Sequence, residues 1–393
     1  MNSKGKTLIG WDEILEGGLA PNALVMSWRG EAGGIAAAKE KHKVIMTPGN
    51  SVYLNYSQAR NEDTVTIGGF LPIEKVYGYE PIPKELNQEQ TKYVIGAQGN
   101  VWSEYMRYPS TVEYNIFPRL SALSEVLWSS QEKKNWNNLE KRLRTQFSRY
   151  DLWGAHYSKA YYNLRGMVLP TSNNNGVLWK LETNQKEAQI FTKNEKSPAG
   201  LKYQKPILIN SSTSLTAFSK VNGKESGNPI TENFSFNKAT GKKIILKYPP
   251  SPDYPGNGGA FGLVNGVRSD KGITSTDWLG WRGSDMDAII DLGKPVSVSR
   301  LVIHALSKGG SRVYFPNNVI VSGSVDGKNF SPLGSSQLFE QDKSENSGNI
   351  TVKFAPAKVR YIQVTAKNYD KIPEGKTGTG EPGLMLVDEI EVN

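Results

Sequence analysis

The sequence contains no cysteine and only three histidines among its 393 residues. The lack of cysteine excludes disulfides and thiolate metal sites, and it leaves the redox compartment undetermined. His42, His156 and His304 are too far apart along the chain to predict a metal cluster, and isolated histidines are usually structural. Long apolar runs are absent as well: none approaches the roughly 20 residues that a membrane helix needs, so we expect no membrane span.

The chain opens without the pattern of a signal peptide, since Met1–Lys6 leads straight into a strand-like run. We therefore expect an internal start, as if a longer protein had been cut. The formal charge is +9 with an isoelectric point near 9.3, which raises the question of nucleic-acid binding. Because the lysines are scattered and no arginine-rich run or nucleic-acid motif is present, we interpret the charge as a solvated surface and predict no nucleic-acid partner.

Short apolar runs alternate with helical stretches over residues 1–160, which predicts a parallel sheet covered on both faces. The predicted strands are Thr7–Trp11, Ala23–Trp28, Lys43–Thr47 and Lys92–Ala97. The predicted helices are Gly34–Lys41, Val112–Trp128 and one near Asn137–Tyr150. Four such units are about half of the eight that a (β/α)₈ barrel contains.

Helical patterns vanish after Tyr161, and turn residues separate short alternating strands. Residues 165–247 predict a small β-sandwich that includes a strand at Lys243–Lys247. Tyr248–Pro252 is a stiff Pro-rich linker, and residues 253–393 form a second all-β block. Predicted strands of this block include Ala288–Leu292, Arg300–Ala305, Asn349–Phe354 and Arg360–Ala366.

Aromatic and polar side chains stand where the first four predicted strands end. Trp11 and Trp28 close the first two strands, Tyr53 lies beyond the third, and Trp102 and Glu104 lie beyond the fourth. In a parallel α/β barrel the carboxyl ends of the strands build the active site, and aromatic planes suit the C–H faces of sugar rings. Core packing is the alternative for these rings. Core packing is also our prediction for Trp128, Trp136 and Trp153, which lie in or near helices.

An ordered set of motifs carries a specific family resemblance. The set comprises Gly10–Leu15, Val25–Gly30, Tyr53–Tyr56, Gly96–Glu104, Pro118–Leu120 and Ala122–Glu125. It resembles the second half of family 20 β-N-acetylhexosaminidases, which implies that residues 1–162 form the last four βα units of a (β/α)₈ barrel. The residues that match the substrate-binding residues of the family are Trp11, Trp28, Tyr53, Asn55, Trp102 and Glu104.

The resemblance implies a substrate-assisted, retaining mechanism in which the 2-acetamido oxygen of the sugar attacks its own anomeric carbon. The three tryptophans would wall the pocket, and the Tyr53 hydroxyl would bond the acetamido carbonyl. Glu104 would bind sugar hydroxyls. Asn55 stands where the family usually has Asp, so it can accept or donate a hydrogen bond but brings no negative charge.

The catalytic pair of the family, a general acid Glu and an acetamido-orienting Asp, resembles a Gly-Gly-Asp-Glu run on an earlier strand. This chain contains no such run. The adjacent Asp12 and Glu13 follow Trp11, and we expect them to cap a helical turn rather than to act as catalysts. We thus predict no catalytic residue in this chain, expect it to be inactive alone, and expect the missing N-terminal half as a partner.

The two β blocks resemble accessory domains of such enzymes. Residues 165–247 resemble the small sandwich that follows the barrel. Residues 253–393 resemble the discoidin-like, coagulation-factor type C jelly roll that also serves as a carbohydrate-binding module. Its motifs here are Leu263–Gly266, Trp278–Trp281, Ile290–Lys294, Phe315–Val319, Ser324–Gly327 and Asp388–Ile390. Trp278 and Trp281 are expected in its core.

Two further sites follow from this second resemblance. Arg312 and Tyr314 are candidates for sugar contacts in the jelly roll, with ordinary loop residues as the alternative. Glu389, with Asp270 and loop carbonyls, matches a structural calcium site, with two solvated carboxylates as the alternative. No cofactor is expected for catalysis.

These observations lead to one main functional prediction and one alternative. The main prediction is an exo-acting β-N-acetylhexosaminidase, exported to the periplasm or exterior, whose glycan substrates end in N-acetylglucosamine or N-acetylgalactosamine. The alternative is a non-catalytic carbohydrate-binding protein that acts through the C-terminal discoidin-like domain.

Overall fold

A computed structural model of the chain describes residues 4–59, 69–269, 272–336 and 345–393. The chain divides into two compact units, Met1–Tyr162 and Asn163–Asn393. The first unit ends at the residue where the sequence analysis places the end of the first domain. Each unit is described by itself.

The first unit is built on a four-stranded sheet in the order β1-β2-β3-β4. Its strands are β1 (Ile9–Trp11), β2 (Leu24–Ser27), β3 (Val44–Met46) and β4 (Val94–Ala97). Every neighbouring pair is parallel, which confirms the predicted parallel sheet. Val25, Val44 and Met46 are fully buried on it, as expected for a sheet that elements cover on its faces.

Six α-helices accompany this sheet within the described residues of the unit. They are α1 (Ala32–Lys39), α2 (Gly49–Val52), α3 (Ile73–Gly78), α4 (Pro109–Ile116), α5 (Arg119–Trp128) and α6 (Trp136–Trp153). The single helix predicted for Val112–Trp128 is thus wrong: α4 and α5 are separate helices. Pro118, between them, has no N–H to continue the hydrogen-bond ladder. Helix α6 begins at Asn135, whose side chain accepts a hydrogen bond from Asn138 N–H, and ends at the left-handed Gly154.

Two of the helical tryptophans predicted for the core lie at the surface. Trp128 is 92% exposed and Trp153 is 65% exposed, so those two predictions are wrong. Both stand at the last residue of their helix. Trp136, at the first turn of α6, is partly buried and packs on the core of this unit as predicted.

The second unit begins with two antiparallel sheets. A three-stranded sheet has the order β5-β6-β9 and a four-stranded sheet the order β11-β10-β7-β8. The strands are β5 (Arg165–Pro170), β6 (Val177–Glu182), β7 (Gln189–Asn194), β8 (Ser197–Lys202), β9 (Ile207–Ile209), β10 (Thr213–Val221) and β11 (Lys224–Phe234). Side chains of both sheets, including Trp179 and Leu215, share one buried cluster.

A larger, seven-stranded sheet completes the second unit. Its strands are β12 (Lys243–Leu246), β13 (Leu279–Arg282), β14 (Met286–Lys308), β15 (Asn318–Ser324), β16 (Ser331–Ser335), β17 (Glu345–Lys367) and β18 (Leu384–Val392). Strands β14 and β17 each replace two predicted strands, because local irregularities in their pairing bend a continuous strand without ending it. Trp278 and Trp281 are each 1% exposed, which confirms the core prediction for them.

The boundary between the two β blocks lies before the position predicted from sequence. Strand β12, assigned above to the small sandwich, pairs with β14 of the larger sheet. Further upstream, Lys238 N–H already donates to the Val392 carbonyl of β18. The Pro-rich segment is also anchored to this sheet, since the Trp281 indole N–H donates to the Tyr248 carbonyl.

Candidate functional site

Four aromatic rings from the strand ends of the first unit lie together. The Trp11 and Trp102 rings have centroids 5.8 Å apart, and Tyr53 lies 6.3 Å from Trp102. The Trp28 ring is nearly parallel to Tyr53, with centroids 6.3 Å apart and planes at 17°. The structure therefore brings these predicted residues into one group, called here the aromatic cluster (Trp11, Trp28, Tyr53 and Trp102).

The sheet positions the cluster because parallel strands end at the same edge. Trp11, the last residue of β1, stands opposite Met26 of β2, and Trp28 follows directly after β2. Tyr53 forms a parallel bridge with Asn100, which lies after β4. Leu54 N–H donates to the Asn100 carbonyl at 2.7 Å. The segment that carries Tyr53 is thus tied to the segment that leads to Trp102.

Tyr53 lies at the centre of the cluster. Burial raises the pKa of its hydroxyl above the ordinary value, although a hydrogen bond with the Trp102 side chain opposes the shift. The hydroxyl therefore stays protonated at neutral pH and can donate a hydrogen bond. Trp102, by contrast, is 40% exposed, which leaves part of its indole available to a ligand.

The two remaining predicted residues differ in exposure. Asn55 is 3% exposed, and its Oδ1 has no hydrogen-bond partner within the described part of the chain. A buried carbonyl oxygen of this kind is a candidate acceptor for a ligand hydroxyl. Glu104 is exposed, two residues after Trp102. Its role in binding sugar hydroxyls stays a prediction.

Arg119 is a residue whose role the sequence analysis missed. Its guanidinium is fully buried and donates to the backbone carbonyls of Leu54 at 2.5 Å, Tyr56 at 2.9 Å and Leu71 at 2.8 Å. It therefore holds in place the segment that carries Tyr53 and Asn55. The only sequence signal for this role was the position of Arg119 in the Pro-Arg-Leu motif, because residue type alone does not distinguish a buried arginine from an exposed one.

Asp12 and Glu13 stand at the start of a helical turn, as expected, although no side chain caps that turn with a hydrogen bond. They occupy the first turn of the 3₁₀ helix Asp12–Gly17. Asp12 instead accepts a hydrogen bond from Arg29 Nε at 2.8 Å, and Glu13 accepts one from the Trp28 indole. Both carboxylates turn toward the residues that follow β2, because the ends of β1 and β2 lie side by side.

In the second unit the two residues predicted for sugar contacts have different environments. Tyr314 is 3% exposed, and its hydroxyl donates to the Thr377 carbonyl. It offers no open ring face to a sugar, so its prediction as an aromatic plate is wrong; its side chain fills the core beneath the loops. Arg312 is half exposed and paired with Glu381. Its role in sugar binding stays a prediction.

The carboxylate predicted to bind calcium is fully buried. Glu389 is 0% exposed, and its Oε1 and Oε2 lie 3.2 Å and 3.1 Å from Gly266 N. Burial raises its pKa well above the ordinary value, and the nearby Asp388 charge adds to the shift. Asp388 accepts from Ser269 N–H at 2.5 Å and lies 2.7 Å from His304 Nδ1. Glu389 is therefore not the solvated carboxylate of the alternative reading.

Asp270, the second calcium candidate, lies outside the described residues. Within the described ranges no group of three or more His, Asp or Glu side chains is arranged to hold a metal ion. In the same part of the chain, no helix combines the length and apolar character needed to cross a membrane.

An aromatic cluster at the carboxyl edge of a parallel sheet is an arrangement that suits the faces of sugar rings. Sequence comparison finds two domain families that match segments of the chain. Residues 1–131 match the model of the glycosyl hydrolase family 20 catalytic domain, and residues 250–377 match the F5/8 type C domain. The resemblances to family 20 enzymes and to the type C jelly roll are thereby confirmed, whereas the resemblance of residues 165–247 to the small sandwich stays a prediction.

Curated relatives agree with this assignment. The chain is 49% identical over 159 residues to a "Beta-hexosaminidase" of Porphyromonas gingivalis, covering 40% of this chain and 20% of that protein. It is 31% identical over 128 residues to a "Beta-hexosaminidase" of Vibrio furnissii, covering 32% of this chain and 21% of that protein. The chain thus spans about a fifth of the length of these relatives.

A solved structure with similarity to this chain is a family 20 exo-β-N-acetylglucosaminidase from Vibrio harveyi in complex with N-acetylglucosamine. It is 31% identical, with a TM-score of 0.38, and the match covers 40% of this chain and 26% of that one.

Proposed function

We propose that the first unit provides the sugar-binding wall of an exo-acting β-N-acetylhexosaminidase that works by the retaining, substrate-assisted route. The aromatic cluster is the observation that carries this proposal, because four rings from successive strand ends meet at one edge of the sheet. The similarity to curated β-hexosaminidases favours the enzyme over the alternative of a non-catalytic binding protein.

In this proposal each residue has a role set by its chemistry. The indole rings exclude water and hold the acetamido group against the anomeric carbon. The protonated Tyr53 hydroxyl donates to the acetamido oxygen and stabilises charge that develops on that group. Asn55 and Glu104 accept hydrogen bonds from sugar hydroxyls. The substrates are glycans that end in N-acetylglucosamine or N-acetylgalactosamine.

The proposed architecture has three parts. The parallel sheet of the first unit is the last four βα units of a (β/α)₈ barrel. The sheets of β5 to β11 form the small sandwich, and the sheet of β12 to β18 forms the discoidin-like jelly roll. We propose that the parent protein acts in the periplasm or exterior, as expected for a glycan hydrolase that carries such modules.

Hydrolysis requires a general acid, which this chain does not supply in the proposal, since it contains no Gly-Gly-Asp-Glu run. General acid catalysis typically contributes 10²–10⁴-fold to the rate. We expect the full chain to bind N-acetylglucosamine, measured by NMR titration, but not to hydrolyse N,N′-diacetylchitobiose. The acid would come from the N-terminal half of the barrel.

The variant Trp102→Ala tests whether sugar binding and any disaccharide turnover depend on the aromatic cluster. It should abolish N-acetylglucosamine binding by the first unit, because it removes the most exposed ring of the cluster. Disaccharide turnover that disappears in this variant would mean that the chain does contain a general acid. Wild-type protein that shows no binding would refute the proposed wall.

We further propose a structural calcium ion in the jelly roll, held by Glu389 and backbone carbonyls of the Asn265–Ser269 loop. The donor chemistry fits, because Ca²⁺ takes oxygen ligands and the Glu389 carboxyl group lies in a fully buried position. Among the described residues no Lys or Arg forms an ion pair with this carboxylate. An unpaired buried charge is costly, so either a proton or a cation must accompany it.

A further inference from the structure

Two consecutive acidic residues at the end of β1 face two consecutive residues at the end of β2. Asp12 accepts hydrogen bonds from the Nε and the backbone N–H of Arg29, at 2.8 Å and 3.2 Å. Glu13 receives the Trp28 indole N–H with both carboxylate oxygens, at 3.0 Å and 3.1 Å. The two contacts join the strand ends that carry Trp11 and Trp28.

We propose that Glu13 is a positioning residue for the sugar-binding wall: it fixes the orientation of the Trp28 indole. This inference rests on the proposed function. An indole has a single N–H donor, and rotation of the ring away from its present plane would break the contact with Glu13. With the N–H occupied, Trp28 presents a ring face to a sugar instead of a hydrogen-bond donor.

The charge of Glu13 makes this contact stronger than a neutral hydrogen bond. Backbone hydrogen bonding to its carboxylate lowers the pKa of Glu13, and the Trp28 indole and the Arg29 charge lower it further. The carboxylate is therefore ionised at neutral pH. The held indole is nearly parallel to the Tyr53 ring, so the contact also determines how these two rings of the cluster face each other.

Neighbouring acids differ from Glu13 in what they contact. Asp12 is buried and accepts hydrogen bonds from the backbone and side chain of the half-exposed Arg29, so its removal would leave two donors without their acceptor. Glu16 lies in the same 3₁₀ helix, is largely exposed, and bonds Arg29 Nη1 at 3.2 Å. Glu16 thus matches Glu13 in residue type, helix and exposure, but it does not bond the indole.

The experiment uses the full chain and the variants Glu13→Ala, Glu13→Gln and Glu16→Ala, with N-acetylglucosamine as the probe. NMR titration gives the dissociation constant, and the indole N–H signal of Trp28 is assigned by its loss in Trp28→Phe. Glu13→Ala should bind N-acetylglucosamine about 2- to 12-fold more weakly, because it loses one hydrogen bond that orders the sugar-binding wall. Glu13→Gln retains an acceptor oxygen and should recover most of the affinity, and Glu16→Ala should bind as wild type.

The indole signal supplies a readout that a purely structural role would not change. It should move upfield in Glu13→Ala, where the hydrogen bond is lost, and stay in place in Glu16→Ala. All variants should unfold at similar temperatures, because both carboxylates are exposed.

The outcomes separate the two proposals. Wild-type protein that does not bind N-acetylglucosamine overturns the proposed function and this inference with it. Wild-type binding that Glu13→Ala leaves unchanged overturns the inference alone. Weaker binding by Glu13→Ala with an unmoved indole signal would also overturn it, since the effect would then not pass through Trp28.

Discussion

Two rings of the aromatic cluster are hydrogen-bonded to a neighbouring side chain. Glu13 holds the indole of Trp28, and the Trp102 side chain bonds the hydroxyl of Tyr53. The rings provide the apolar surface, and the polar groups determine which way that surface faces. Sugar recognition needs both, because an aromatic plane binds a ring face only in the right orientation.

At the residue scale we expect Tyr53→Phe to weaken binding of N-acetylglucosamine by the full chain about 2- to 12-fold, the worth of one hydrogen bond. The ring stays in the cluster, and the variant loses the contact with the acetamido oxygen together with the hydrogen bond to the Trp102 side chain. NMR titration measures the effect, and Tyr108→Phe, at an exposed tyrosine, serves as the control. A Tyr53→Phe variant that keeps wild-type affinity would contradict the role assigned to this hydroxyl.

The elements of the first unit owe their arrangement to contacts between distant segments. Arg119, in the first turn of α5, reaches back to the carbonyls of Leu54 and Leu71. Those carbonyls lie outside regular strands, so the guanidinium supplies the hydrogen-bond donors that a neighbouring strand would otherwise supply. The guanidinium thereby ties the segment that bears Tyr53 to α5.

At the element scale we expect Arg119→Met to lower the free energy of unfolding by about 3 kcal/mol, because it leaves buried carbonyls without donors. Urea denaturation of the full chain, followed by tryptophan fluorescence, measures the loss. The control is Arg142→Met, which removes a partly exposed ion pair with Glu125 and should cost less than about 1 kcal/mol. Equal losses for the two variants would show that Arg119 does not hold the segment.

At the scale of the whole molecule, the buried carboxyls of the jelly roll connect stability to pH and to calcium. Burial raises the pKa of both Asp388 and Glu389. Between the ordinary and the raised pKa the folded state binds more protons than the unfolded state, so stability falls as the pH rises. Other carboxylates, such as Asp291 beside Arg360, have a lowered pKa. Their effect on stability falls at pH values below their ordinary pKa, which is 3.8 for Asp291, and therefore outside this interval.

We therefore expect the unfolding temperature of the full chain in a chelator to fall as the pH rises above the ordinary Glu pKa of 4.5, and millimolar calcium to reverse the fall. Differential scanning calorimetry measures both effects. Glu389→Gln should reduce the pH dependence and remove the calcium effect, whereas Glu374→Gln, at an exposed loop residue, should keep both. A calcium effect that survives Glu389→Gln would contradict the proposed site.

The sequence by itself determined those features that depend on local pattern. The alternation of strands and helices, the parallel sheet, and the grouping of Trp11, Trp28, Tyr53 and Trp102 followed from where apolar runs end. The motifs likewise identified both families. These predictions hold because the ends of parallel strands meet at one edge whatever the rest of the chain does.

Only the tertiary structure decided which distant groups meet. No local sequence pattern predicts the pairing of β12 with β14, the burial of Tyr314, the exposure of Trp128 or the contacts of Arg119. Glu13 and Trp28 are 15 residues apart along the chain, yet the register of two strands places one against the other. Such contacts depend on how packed elements align, which periodicity does not encode.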